Sequence, residues 1–399
     1  MAWGIWWSFF QIWLTNYLHF SGSQVGTIYS FNSAITLVLM FIYGAIQDRL
    51  GIKRTLLGVC AFLEMLLGPF FQWAYSPLLH SHFYVGAMVG SLYLSFAFLA
   101  ASPTFEALTE RYSRRYSFHY GSARAWGSFG YAISALAAGF LFNISPYIVF
   151  WLSSAIGAIL FLIIVFDHPH SQKAYDLYEN KSEQQKEKST ASLKEIFGVF
   201  KIKQLWEIVI YIILSWTFYT VFDQQMFPQF FTQFFSSKAT GQSMYGILNS
   251  VEVFLEAIMM ACVPYIMKKW GVRRTLLTGI VIMVIRIGGC GLVTNPLGVS
   301  LIKLLHAPET ALFALGLFRY FTLHFDPKVS ATLYMVGYQI AAQVGQIIFS
   351  TPLGKLRDQI GYSHTFLVIS GIVLVAGIYA SFILRPDDKE VNGQPLSED

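Results

Sequence analysis

Apolar runs long enough to cross a bilayer follow one another along the chain, separated by short polar breaks. They lie at Ala2–Phe20, Val25–Ile46, Leu56–Ala74, Phe83–Phe105, Ala123–Phe142, Ile148–Phe166, Trp206–Phe227, Tyr245–Met267, Leu276–Val293, Val299–Phe318, Val329–Leu353 and Thr365–Leu384. A helical span needs about 20 apolar residues, and a barrel strand only about half of that. In lipid the backbone must satisfy its own hydrogen bonds, so runs of this length predict helices. The pattern therefore predicts an all-α membrane protein of twelve transmembrane helices. The first run is aromatic (Trp3, Trp6, Trp7, Phe9, Phe10, Trp13) and barely long enough. It lacks the basic flank and small-residue cleavage site of a signal peptide.

The polar breaks carry the orientation. One set holds Arg49, Lys53 and Arg54, then Arg111, Arg114 and Arg115, then Lys268, Lys269, Arg273 and Arg274, then Lys328. The opposite set is nearly free of Lys and Arg, with Lys238, Lys355 and Arg357 as exceptions. The basic set is expected on the cytoplasmic side, and an even number of spans then leaves both termini cytoplasmic. The polar stretch 167–203, with its mixed-sign run Glu179–Lys188, reads as a solvated cytoplasmic linker. It separates a bundle at 1–166 from a second bundle at 204–384, with a cytoplasmic tail at 385–399.

The two halves echo each other. Asp48-Arg49-Leu50-Gly51-Ile52-Lys53-Arg54-Thr55-Leu56-Leu57 follows the second run, and Lys268-Lys269-Trp270-Gly271-Val272-Arg273-Arg274-Thr275-Leu276-Leu277 follows the eighth. A third echo, Gly354-x-x-x-Asp358-x-x-Gly361, follows the eleventh. Such repeats predict two pseudo-symmetric six-helix bundles, with a solute site near mid-membrane where the repeats meet.

Composition agrees and closes off other classes. The chain is 55% apolar, 17% aromatic and 12% charged, about half the charge of a soluble domain. Its net charge of +5 is confined to short loops and predicts no nucleic-acid partner. Three cysteines, Cys60, Cys262 and Cys290, all lie in apolar runs and give neither a metal spacing nor a disulfide framework. No nucleophile–base constellation or cofactor fingerprint occurs, so no enzyme activity, metal or cofactor is expected.

Against that background, Arg286, Lys303, His306 and Glu309 stand out, because they lie inside the ninth and tenth runs. A strong charge at mid-bilayer costs roughly 2.5–3.5 kcal/mol even on the lenient insertion scale. Such residues persist where they pair with one another or move an ion. Glu309 has no cation one turn away on its own helix, and desolvation disfavours its charged form. It is expected to keep a proton until a cation approaches, and Arg286 on the preceding run can supply that cation. His306 lies one turn before Glu309 and could pass a hydrogen bond on to it. Glu106 and Arg124 are each nine residues from Arg115, the centre of the turn between them, so both lie about 13 Å up their helices. Two opposite charges at that depth can staple two helices or hold a polar solute. Glu252 and Glu256 share a helix face, and either could balance Arg286 instead.

The loop Gly44-x-x-x-Asp48-Arg49-x-Gly51-x-Lys53-Arg54 resembles the signature of the major facilitator superfamily. Glu106, Ser113-Arg114-Arg115 and Tyr120-Gly121-Ser122-Ala123-Arg124-Ala125-Trp126-Gly127-Ser128-Phe129-Gly130-Tyr131 are similar to the span four–five region of the oligosaccharide:proton symporters. So are Val221-Phe222-Asp223-Gln224-Gln225, Arg286 and Lys303-Leu304-Leu305-His306-x-x-Glu309. The resemblance runs from Trp6 to Leu384. Ala125–Tyr131 reads as the version found in sucrose permeases. The charge pair of lactose-type members is replaced by neutral Thr220 and Ala342, a joint loss that strands no charge. The family begins about one span length, roughly 20 residues, before the position of Met1.

The resemblance implies a proton-coupled disaccharide symporter of the bacterial inner membrane, acting as a monomer by alternating access. Sucrose is the favoured substrate, with lactose, melibiose and raffinose as alternatives. It implies sugar binding by Glu106, Arg124, Tyr131 and Glu256, with the Tyr131 ring stacking on the sugar. It implies proton coupling by Glu309, His306 and Arg286, and an Asp223–Lys303 charge pair. Gly44, Asp48, Arg49, Gly51, Lys53 and Arg54 would form the cytoplasmic gate. An uncoupled sugar facilitator is the nearest rival reading, and a non-transporting membrane sugar sensor is the rival from another class.

Overall fold

The computed structural model describes residues 1–50, 54–116, 120–166, 200–326, 330 and 333–388. Regular structure among them is entirely helical. Nine helices are long and apolar enough to cross a membrane, and a tenth span is formed by the bent pair Thr55–Met65 and Leu67–Ser81. The other two expected spans are also accounted for. The first apolar run folds as Ala2–Ile12 and a π-helical turn Trp13–Tyr17, too short to count by length alone. The last two runs are continuous as Met335–Ile383 and are divided at Gly361, whose φ is +77°.

That glycine explains part of the repeat. Gly271, its counterpart in the second echo, also has a positive φ, +81°. A side chain is strained in this left-handed region, so the turn between consecutive spans selects glycine. Gly51, in the first echo, lies outside the described residues.

Prolines set the other breaks. Pro69 cannot donate to Met65, and the helix breaks at Leu66, whose φ/ψ are −90° and 3°. Pro308 cannot donate to Leu304, and Pro296–Lys303 is separated from His306–His324 at Leu304–Leu305. Pro228 follows the π-helical turn Val221–Met226 in span seven. π-turns inside α-helices often mark functional positions, and this one carries Asp223.

The chain forms two compact units. The first comprises Met1–Phe20, Thr27–Thr190 and Gln242–Ser250; the second comprises Ser21–Gly26, Ala191–Gly241 and Val251–Asp399. The first is packed around aromatic rings. Trp6, Phe10, Trp13, Phe71 and Phe150 are fully buried, and Phe71 stacks on Phe150 with ring centroids 3.9 Å apart. The short first helix is thus held by core packing on nearly every face. In the second unit two aspartates cap helix starts. Asp358 accepts from the backbone N–H groups of Gly22 (2.7 Å) and Ser23 (2.8 Å). Asp387, in the expected tail, accepts from those of Val272 (2.8 Å) and Arg273 (3.1 Å). Both carboxylates satisfy orphan donors at the positive end of a helix.

Candidate functional site

Four spans of the second unit bring charged side chains together. Span seven (Lys203–Thr232) supplies Asp223, span eight (Lys238–Trp270) supplies Glu252 and Glu256, span nine (Val272–Leu292) supplies Arg286, and span ten (Pro296–His324) supplies Lys303, His306 and Glu309. The break before Pro308 separates the last helix into two segments, with Lys303 on one and His306 and Glu309 on the other.

Arg286 is fully buried and so is Glu309. The guanidinium meets the Glu309 carboxylate through Nε to Oε2 and through Nη2 to Oε1, the latter at 3.0 Å. Its Nη1 donates to Asp223 Oδ1 at 2.8 Å. Two parallel donors on a planar fork are the strong form of this pair. The cation also lies 5.2 Å from the Tyr219 ring centroid and 5.0 Å from that of Phe222, within cation–π range.

Lys303 donates to the same Asp223 Oδ1 at 2.6 Å and approaches Glu252 Oε2 at 3.1 Å. Its ammonium sits 4.6 Å from the Phe227 centroid. His306 lies between the acids, with Nδ1 3.5 Å from Asp223 Oδ1 and Nε2 3.1 Å from Glu252 Oε1. Glu256, more exposed, is 3.7 Å from the same Nε2. The Tyr219 hydroxyl (3.3 Å from Nδ1) and Thr310 Oγ1 (3.3 Å from Nε2) complete the ring's surroundings.

The charge count constrains this cluster. Arg286 and Lys303 are cations; three acids, Asp223, Glu252 and Glu309, lie against them, while the more exposed Glu256 reaches only His306 and is left out of the count. With all three acids ionised and His306 neutral, one negative charge is left over. An unpaired buried charge costs several kcal/mol, so the cluster balances only with one added proton. Both ring nitrogens of His306 face carboxylate oxygens, which suits an imidazolium with two N–H donors.

The ligand atoms of Asp223, Glu252 and His306 lie within 4.8 Å of one another, close enough to share a metal ion. The Lys303 ammonium already lies against both carboxylates, so its charge fills the position a cation would take.

Arg286 is thus on Glu309 in this structure. Glu252, which the sequence left open, contacts both Lys303 and His306. Tyr219, Phe227 and Thr310 carry no signal in the sequence, and Phe222 enters it only within the family string around Asp223. Tyr219 does stand one turn before Asp223, but in a chain this rich in rings that spacing carries little signal.

The first unit holds the other expected residues. Glu106 is exposed on the helix Ala101–Tyr116. Arg124 lies on the helix Tyr120–Ile144, but its side chain falls outside the described part. Tyr131 is half-buried; its hydroxyl accepts from Ser8 Oγ at 3.3 Å. Its ring packs so closely on Gly4 that an added Cβ there would sit 2.9 Å away. Gly44 has open space around it, Arg49 closes the last turn of Gly22–Leu50, and Arg54 precedes the helix Thr55–Met65. The Asp48 side chain, Gly51 and Lys53 lie outside the described part.

A family model described as LacY proton/sugar symporter matches residues 1–394. The chain belongs to the LacY proton/sugar symporter family. Among curated relatives, a sucrose permease from Escherichia coli is 40% identical over 393 residues, covering 98% of this chain and 92% of that one. A raffinose permease from Escherichia coli is 35% identical, covering 94% and 88%. A lactose permease from Klebsiella oxytoca is 32% identical, covering 94% and 90%. Among solved structures, the nucleoside transporter NupG superposes with a TM-score of 0.79 at 16% identity, covering 96% of each chain. A D-xylose–proton symporter superposes at 0.64 with 13% identity, covering 92% and 89%. These structural likenesses show the major facilitator fold. The chain is therefore a multi-pass membrane transporter of the sugar/proton symporter class, and not an enzyme.

Proposed function

We propose that this symporter takes up sucrose with a proton by alternating access, as a monomer in the bacterial inner membrane with both termini cytoplasmic. The 40% identity to a sucrose permease over nearly the whole chain carries the substrate assignment. The neutral pair Thr220 and Ala342 and the string Ala125–Tyr131 support it. Glu106, Arg124, Tyr131 and Glu256 bind the sugar, and Gly44, Asp48, Arg49, Gly51, Lys53 and Arg54 form the cytoplasmic gate. Sequence and family resemblance support these roles.

The proton reading rests on the charge count. Arg286 on Glu309 is the arrangement of an ionised Glu309. Protonating Glu309 releases half of that guanidinium's partners and leaves Asp223 to hold it. Lys303 and Asp223 form the standing pair, with Glu252 and His306 beside them. One positive charge crossing 100 mV releases about 2.3 kcal/mol, and one pH unit adds about 1.4 kcal/mol. One-to-one coupling could therefore support a sugar gradient on the order of several hundred-fold.

Purified protein in vesicles tests the substrate. Labelled sucrose uptake, driven by an acid-outside gradient, should be inhibited by excess unlabelled sucrose and less by lactose, melibiose or raffinose. Stronger inhibition by one of those three would reassign the substrate.

A further inference from the structure

The second copy of the charged loop differs from the first in a way that the proposed gate does not use. Where the first copy has the acid Asp48, the second has Lys268. The run Lys268-Lys269-Trp270-Gly271-Val272-Arg273-Arg274 carries four cations and no anion.

Its two consecutive arginines go opposite ways. Arg273 is half-buried, and its Nη2 donates to the Ser381 carbonyl of the last span at 2.6 Å. Asp387 accepts from the backbone N–H groups of Val272 and Arg273, so the start of span nine is already capped. Arg274 is exposed. Together with Trp270, Leu277, Thr278 and Val281 it lines a groove of about 490 Å³.

The groove has a charged end and an apolar end. Arg274, Leu277, Thr278 and Val281 occupy successive turns of the helix Val272–Leu292, so they form one stripe along it. The stripe continues through Ile285 to Leu292. Val281 (54%), Ile285 (55%) and Leu292 (70%) stay exposed, and on a membrane-spanning helix such a face meets acyl chains. Val281 lies two turns below Arg274, about 10 Å along the axis. Trp270 is 48% exposed at the charged end, where tryptophan marks the headgroup level of a bilayer.

Charge selects the occupant. The four loop cations outnumber the two acids of the adjoining tail, Asp387 and Asp388, and Asp387 is spent on the helix start. An arginine fork binds phosphate through two parallel N–H donors, and basic pockets beside membrane spans take anionic headgroups. We infer that this groove seats one anionic phospholipid. Its phosphate lies on Arg274, its headgroup beside Trp270, and one acyl chain along Leu277, Val281 and Ile285. A zwitterionic lipid brings its own ammonium into the same cationic field and is held more weakly. The seat does not depend on which sugar is carried.

The full-length protein in vesicles tests the assignment. Tryptophan fluorescence, read as the difference between the native protein and Trp270→Phe, reports this groove. Brominated phosphatidylglycerol should quench that difference at a lower mole fraction than brominated phosphatidylcholine. One cation at the membrane surface is worth about fivefold in association, so Arg274→Gln should reduce the preference for phosphatidylglycerol by at least that factor. Thr278→Phe keeps every charge but fills the groove, and should reduce the preference as well; Val281→Phe serves if that variant does not accumulate. Equal quenching by the two lipids would overturn the proposal. So would a preference retained by Arg274→Gln, or by the groove-filling variant, since diffuse surface charge would then account for it. Relief of quenching by inorganic phosphate, beyond that of chloride at equal ionic strength, would also overturn it and assign Arg274 to a soluble anion.

Discussion

Arg286→Ala isolates the ion pair on which the coupling argument turns. The substitution removes two hydrogen bonds from Glu309 and one from Asp223. Asp223 keeps Lys303 at 2.6 Å, so its charge remains paired. Glu309 is left fully buried with no cation on it. Removing one partner of a buried pair typically costs 3–5 kcal/mol, roughly the cost of an uncompensated charge. Protonating a carboxyl of ordinary acidity at pH 7 costs about 3.7 kcal/mol. The two costs are similar, so the variant can escape the stranded charge by holding Glu309 neutral. A carrier fixed in that state can exchange sugar across the membrane but cannot release its proton. Counterflow of labelled sugar in proteoliposomes should therefore persist. Uphill accumulation under an acid-outside gradient should drop from the several-hundred-fold ceiling toward equality. Accumulation by Arg286→Ala at the native level would refute the reasoning, because Glu309 would then discharge its proton without the guanidinium.

Glu309→Gln should give the same separation, counterflow without accumulation, since it is neutral by construction. Lys303→Met takes the ammonium from Asp223 and Glu252 together, so the Tm in detergent should fall, and Lys303→Met with Glu252→Gln should recover part of the loss. Equal losses in the single and double variants would mean that the 3.1 Å approach carries no coupling. Arg124→Ala should abolish sugar binding, measured by substrate protection of the purified protein, with normal amounts in the membrane. Gly157→Leu, on the helix Pro146–Phe166, forces a side chain against Glu64 of the helix Thr55–Met65, whose carbonyl carbon would lie 2.8 Å from an added Cβ; overpacking of this kind costs typically about 1–3 kcal/mol, and an unchanged Tm would show that the two helices separate freely.

Hydropathy alone makes the helical membrane architecture legible, because the bilayer admits few backbone solutions. The ends of that pattern are less so. Ala2–Tyr17 is short, yet its rings are buried on almost every side, and burial rather than length holds it. Met335–Ile383 holds two spans, because the non-helical backbone at Gly361 turns the chain with no polar loop between them. The breaks at Leu66 and Leu304 follow from Pro69 and Pro308, each four residues after the carbonyl it fails to serve, and hydropathy is blind to them.

The charged cluster was readable as a set of residue types, since Arg286, Lys303, His306 and Glu309 are conspicuous in apolar runs. Which acid meets which cation was not. Glu252 and Glu256 differ by one helical turn on the same face, and only the packing of span eight places Glu252 on Lys303 and leaves Glu256 more exposed. The aromatic walls around Arg286 and Lys303 are hidden in a chain with 36 phenylalanines and 22 tyrosines, where another ring is no signal.

The central claim is that buried acids and bases in the second unit carry a proton with the sugar. The most direct measurement is the external pH of a lightly buffered, de-energised suspension of proteoliposomes when sucrose is added. The account predicts prompt alkalinisation that Glu309→Gln abolishes while counterflow continues. Sucrose entry with no change in external pH, and no response to an imposed acid-outside gradient, would contradict it.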